Sequence, residues 1–202
     1  MQKIIDGVKK FQNEVYPQHK ERFEELADMQ EPKVLFITCS DSRIDPNLIT
    51  QTLPGELFVC RNAGNIVPTH FNEDGGMTAS IEYAVSVLQV TDVVICGHSN
   101  CGAMKAAMNP ESVNALPHVK TWIEHSRAAK EAVEHKRECL EAHHLPEVIK
   151  QNVILQMNHL SSHPAVYKKL QNNDIALHGW VYDIESGKVE SYDPLQDQFI
   201  EL

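Results

Sequence analysis

The segments Cys39-Ser40-Asp41-Ser42-Arg43 and Gly97-His98-Ser99-Asn100-Cys101-Gly102 hold two thiols, an imidazole, and a carboxylate two residues from an arginine. Soft sulfur and imidazole donors select zinc over magnesium or calcium, which makes Cys39, His98 and Cys101 candidate metal ligands. Two thiolates and a neutral imidazole would neutralise the dication and leave a fourth tetrahedral position, which a catalytic zinc site keeps open. Arg43 is within reach of Asp41 for a bidentate pair. So paired, Asp41 is kept off the metal and oriented to accept a proton. Two plainer readings compete: a pair that only tightens a turn, and a structural zinc with Asp41 as its fourth ligand. A phosphatase-like nucleophile at Cys39 fits poorly, because Cys-x3-Arg is too short for a phosphate cradle and leaves His98 and Cys101 unexplained.

Each segment directly follows an apolar, β-branched run, at 34–38 and 93–96. Both ligand sets are therefore expected at the carboxyl ends of strands, where open α/β sheets bind what they act on. A strand is predicted over 33–38 and another over 56–61 after the turn Pro54-Gly55, with a short helix opening near Asp45-Pro46 between them. The Asp74-Gly75-Gly76 turn leads into a helix whose core face reads Met77, Ile81, Ala84, Val85 and Leu88, and a strand follows over 92–96. This order of strand, helix and strand implies right-handed crossovers and parallel pairing. Helical patterns continue over 103–108, over a mostly polar stretch 113–141, through Ile149, Val153, Met157 and Leu160, and after Pro164. The chain closes on a predicted hairpin, 175–184 with 189–192, turning at Ser186-Gly187. Ile4, Val8, Phe11 and Val15, then Phe23 and Leu26 after Pro17, predict two amphipathic N-terminal helices. The expected fold is α/β: a mostly parallel central β-sheet with an antiparallel edge strand, flanked by helices. Residues 1–202 are read as one domain whose helical arm, 1–30, packs on a partner subunit.

Composition supports that size of fold, with 202 residues, 42% apolar and 23% charged. Eighteen basic against 28 acidic residues give a net charge of -10, which disfavours nucleic-acid and anionic-membrane partners. The first residues lack a signal-peptide core and no apolar run approaches the ~18 residues of a membrane span, so a cytoplasmic location is expected. Five cysteines, an odd number, read as reduced thiols. Cys60 and Cys96 fall inside apolar runs and read as buried structural thiols, while Cys139 lies in a charged stretch without an assigned role.

Five blocks, taken in order, resemble the β-class carbonic anhydrases, zinc enzymes that interconvert carbon dioxide and bicarbonate. They are 39–43, Phe58-Val59-Cys60-Arg61-Asn62-Ala63-Gly64-Asn65-Ile66-Val67-Pro68, Ser80-Ile81-Glu82-Tyr83-Ala84-Val85, 97–103, and His178-Gly179-Trp180-Val181-Tyr182-Asp183. The resemblance is nearest to bacterial members associated with cyanate metabolism. It implies one Zn2+ per subunit on Cys39, His98 and Cys101, with Asp41 and Arg43 as the catalytic dyad. Gln30, Phe58, Ala63, Tyr83 and Gly102 are implied in substrate binding, and Ala63 is smaller than the residue some members use. It further implies attack of activated water on carbon dioxide, and a homodimer or multiple of dimers, such as a tetramer, with pockets shared across the interface. One subgroup carries a regulatory bicarbonate site on a tryptophan, an arginine and a tyrosine. Arg61 and Tyr182 match two of these, but Phe36 stands at the tryptophan position and Gln30 marks the other subgroup, so an open fourth position is expected. Carbonyl sulfide and carbon disulfide hydrolases share the ligands and differ in access. The remaining histidines, His118, His125, His135, His143, His144, His159 and His163, are expected to be surface or capping residues.

Overall fold

A computed structural model describes residues 1–70, 75–137 and 139–202. Asp74 of the anticipated turn lies outside them. Four adjacent parallel strands make up one side of a six-stranded sheet: β1 (Val34–Cys39), β2 (Leu57–Asn62), β3 (Asp92–His98) and β4 (Ala176–Tyr182). β5 (Val189–Asp193) runs antiparallel to β4, and β6 (Gln198–Glu201) antiparallel to β5, in the order β2-β1-β3-β4-β5-β6. The α/β architecture and its antiparallel edge match the expectation. That edge holds one more strand than the hairpin predicted, because Gln198–Glu201 is too short and polar to announce itself by alternation.

The strands are β-branched and apolar because β1 and β3 are buried on both faces. Period-2 alternation sends Leu35, Ile37, Cys39, Val93 and Ile95 into the main core, and Phe36, Val94 and Cys96 into a smaller core with Trp180. α8 (Leu145–Leu160) packs on β3 and β4, and α5 (Gly102–Met108) and α7 (Arg127–Glu134) pack on α8. α4 (Gly76–Ser86), with Ile81, Ala84 and Val85 buried as its pattern predicts, packs on β2 and on α9 (Pro164–Gln171). The stretch 113–141 is not one helix: α6 (Pro117–Ile123) and α7 are separated by a 3-10 turn over Glu124–Ser126, and helix ends at Glu134. Proline at the first turn of α6 starts a helix instead of continuing one.

The N-terminal arm is helical from Gln2 to Glu25, as α1 (Gln2–Lys10), a π turn, a 3-10 turn and α2 (Lys20–Glu25). The apolar face is exposed at the start of the arm, at Ile4, Val8 and Phe11, while Phe11, Tyr16 and Phe23 pack on one another. α3 (Pro46–Thr50) starts at the expected position, where the Asp45 carboxylate accepts from Asn47 N and Leu48 N. Among the described residues, no helix is long and apolar enough to cross a membrane.

Candidate metal centre

Cys39 is the last residue of β1 and His98 the last of β3, an adjacent parallel strand. Parallel register brings their ends to the same edge of the sheet. After His98 the chain turns through Asn100 in the left-handed region (φ 59°), which returns Cys101 to the same point as the N-cap of α5. The turn is tied to the neighbouring strand by Ser99 N to Tyr182 O (2.9 Å) and Ile184 N to Ser99 Oγ (2.9 Å). The ligand atoms of Cys39, His98 and Cys101 all lie within 4.8 Å of one another, and the three residues are at most 5% exposed.

His98 Nδ1 lies 2.9 Å from the Ser99 carbonyl. A carbonyl can only accept, so Nδ1 carries the proton and Nε2 presents its lone pair. That Nε2 is fully buried and has no hydrogen-bond partner. A buried imidazole nitrogen without a partner is costly, and facing two thiols it suits a soft metal ion. Donation from the Cys101 thiol, against desolvation and helped by the Gly64 N–H, brings the Cys39 thiol down to about 4. Cys101 moves the other way, chiefly because it holds the proton facing Cys39 and is itself buried. A cation between the two sulfurs would displace that proton.

Asp41 and Arg43 meet as their spacing suggests. Arg43 Nε donates to Asp41 Oδ1 (2.9 Å), Nη2 to Oδ2 (2.7 Å), and the Arg43 backbone N–H to Oδ1 (3.0 Å). These bonds hold the Asp41 carboxyl far below the usual carboxylate range. Oδ2 stands 3.9 Å from His98 Nε2. Arg61 of β2 clamps the loop that carries both groups, donating to the carbonyls of Cys39 (3.0 Å), Asp41 (2.8 Å) and Ile44 (3.0 Å). The resemblance matches Arg61 only to a regulatory site; the sequence signal for this clamp is a cation at the end of the neighbouring strand.

Of the remaining sequence-derived candidates, Gln30, Phe58 and Tyr83 are not gathered at the cluster within one chain. Phe58 and Tyr83 face each other with ring centroids 6.0 Å apart. Phe58 pairs with Leu35, however, four residues before Cys39, or ~13 Å down the strand. Gln30 is exposed in the segment before β1. Ala63 is exposed just after β2, and its carbonyl accepts from Trp122 Nε1 at 2.9 Å, a partner sequence reading did not single out. Gly102 opens α5 beside Cys101, with open space where a Cβ would stand. Cys60 and Cys96 are buried thiols, both raised by desolvation, Cys96 to about 12. His163 is buried and His159 half-buried, with their rings hydrogen-bonded to the Pro68 and Val67 carbonyls (2.9 and 2.8 Å).

Residues 34–189 match the family model described as carbonic anhydrase. The chain is 48% identical over 202 residues to a carbonic anhydrase of Pseudomonas aeruginosa, covering 100% of this chain and 92% of that protein. It is 47% identical to carbonic anhydrase 1 of Escherichia coli O157:H7, with the same coverage. Among solved structures it superimposes on the β-carbonic anhydrase CcaA with a TM-score of 0.97 at 40% identity, covering 100% of this chain and 99% of that one. Tetrameric β-carbonic anhydrases of Sordaria macrospora match with a TM-score of 0.83 at 28% identity, covering 94% and 95%.

Proposed function

The chain belongs to the β-carbonic anhydrase family, and on that premise we propose that it catalyses zinc-dependent, reversible hydration of carbon dioxide to bicarbonate and a proton. The observation that carries this reading is the buried, partnerless His98 Nε2 facing two thiols beside a carboxylate that Arg43 holds ionised. Cys39, His98 and Cys101 would hold one zinc ion per subunit. Bound there, zinc supplies Lewis-acid activation of water for attack on carbon dioxide.

The protein's own groups then have defined tasks. Arg43 occupies one acceptor direction on Asp41 Oδ2 and leaves another for a proton taken from the reacting water. The same grip would keep Asp41 off a metal held by the three donors and leave room there for water. Gly102 and Ala63 would flank the substrate. Gln30, Phe58 and Tyr83, not gathered at the cluster within the chain, would complete the pocket of a neighbouring subunit. That arrangement calls for a homodimer or a multiple of it, a tetramer in the first instance, with the arm 1–30 of this single domain packed on the partner. The exposed apolar face of the arm supports it. Return of bicarbonate to a cyanate-degrading partner, from a cytoplasmic location, belongs to the same proposal and rests on the resemblance alone.

Zinc content measured together with stopped-flow carbon dioxide hydration tests the reading. Two thiolate donors leave the cation less electron-poor than three imidazoles would. Hydration should therefore rise from mildly acid conditions up to about pH 9, with about one zinc per subunit. Stoichiometric zinc without hydration would leave only a structural metal, and a flat pH profile would remove the charge-donation account.

A further inference from the structure

Gly64 stands where two restrained peptides meet. The N–H of the Ala63–Gly64 peptide donates to Cys39 Sγ at 3.3 Å, and the carbonyl of that same peptide accepts from Trp122 Nε1 at 2.9 Å. In a planar trans peptide these two groups point in opposite directions, so fixing the oxygen fixes the N–H. The following peptide is held too, since Gly64 O accepts from Asn152 Nδ2 at 3.1 Å. Asn152 is itself oriented by Gln156, whose Nε2 donates to Asn152 Oδ1 (2.8 Å) while its Oε1 accepts from Val67 N (2.8 Å).

Two features mark this web as more than packing. Asn152 and Gln156 lie on the core face of α8 among Val148, Ile149 and Val153, 1% and 0% exposed, where carboxamides cost free energy unless fully bonded. Gly64 has φ 88° and an added Cβ would stand 2.9 Å from Ala103 Cβ, so the peptide geometry there is specified closely.

We propose that Trp122 and Asn152 are positioning residues for Cys39: they hold the two peptides that meet at Gly64, and so hold the N–H that meets the sulfur. The inference rests on the reading of Cys39 as a metal ligand. An N–H donating to a ligating thiolate draws charge from the sulfur, and a donor on the carbonyl of the same peptide polarises that N–H further. Groups that orient ligands from behind typically carry about 10–100-fold in metal affinity.

Cobalt(II) substitution provides a readout independent of turnover, through the thiolate-to-cobalt charge-transfer band. Wild type, Trp122→Phe and Asn152→Leu are compared by that band and by zinc competition with a chromophoric chelator. Trp122→Phe keeps an aromatic ring and deletes the donor at the rim of the core, so it tests the proposal whether or not Asn152→Leu folds. With the donor gone the sulfur becomes electron-richer. That change should move the band to longer wavelength, while Cys39, no longer held in its orientation by the fixed peptide, should bind zinc with a Kd roughly tenfold higher. An unshifted band with zinc affinity within about twofold of wild type in Trp122→Phe would overturn the proposal. Absence of any thiolate band in the wild type would instead overturn the metal assignment, and the inference with it.

Discussion

Asp41 Oδ2 lies 3.9 Å from His98 Nε2 while Arg43 grips the same carboxylate through bonds of 2.9 and 2.7 Å. The carboxylate is thus beside the cluster yet committed to the arginine. The two roles proposed for it, accepting a proton and standing off a bound metal, would both follow from this one contact.

Asp41→Asn keeps the shape of the side chain and removes its basicity. Zinc content should stay at the wild-type level while kcat falls about 100-fold or more. Metal analysis beside stopped-flow hydration checks this; a variant with full turnover would remove Asp41 from the mechanism.

Cys39→Ala removes one of three converging donors and the sulfur that the Gly64 N–H meets. Purified protein should carry almost no zinc and show no hydration above background, because a His and one thiolate bind far more weakly than the full set. Retention of stoichiometric zinc would place the metal elsewhere.

Gly97 precedes His98 and faces α8. An added Cβ would stand 2.9 Å from Val153 Cγ2 and 3.3 Å from Ile149 Cγ2, both stiff β-branched side chains. Gly97→Ala should cost about 1–3 kcal/mol in urea unfolding and weaken zinc binding by displacing the end of β3 from α8. Wild-type stability in this variant would mean that α8 yields freely.

His163 is 2% exposed with its ring on the Pro68 carbonyl, and burial keeps its pKa below the ordinary histidine value. The folded state therefore disfavours the charged form, whereas the unfolded chain takes up a proton at about pH 6.5. The contribution is complete above that pH and is lost as pH falls toward the folded pKa; His159, shifted the same way, adds to it. Tm should decline from about pH 7 to about pH 5, and less steeply in His163→Gln. An unchanged slope in the variant would place the acid sensitivity elsewhere.

Local chemistry made much of the centre legible. Cys39, Asp41 and Arg43 share one loop, and His98 and Cys101 another, so their approach within each loop depends on a few backbone angles and was readable from spacing. That the two loops converge followed from two apolar β-branched runs, because strands of that type pair in parallel inside an α/β sheet and their ends align. The core face of α4 was legible for the same reason, since a helical repeat depends only on near neighbours.

Tertiary structure alone decided the supports. The bonds of Arg61 to Cys39, of Trp122 to Ala63 and of Asn152 to Gly64 join residues 22, 59 and 88 positions apart, and no periodicity encodes such pairs. In sequence, Asn152 and Gln156 are only polar interruptions on an apolar face; packing α8 over the 64–68 segment turns them into partners for buried peptides. The types of the converging donors are chemical and therefore written in the chain. Their orientation depends on hydrogen bonds that exist only after β1, β3 and α8 have packed, because desolvation is what makes those bonds obligatory.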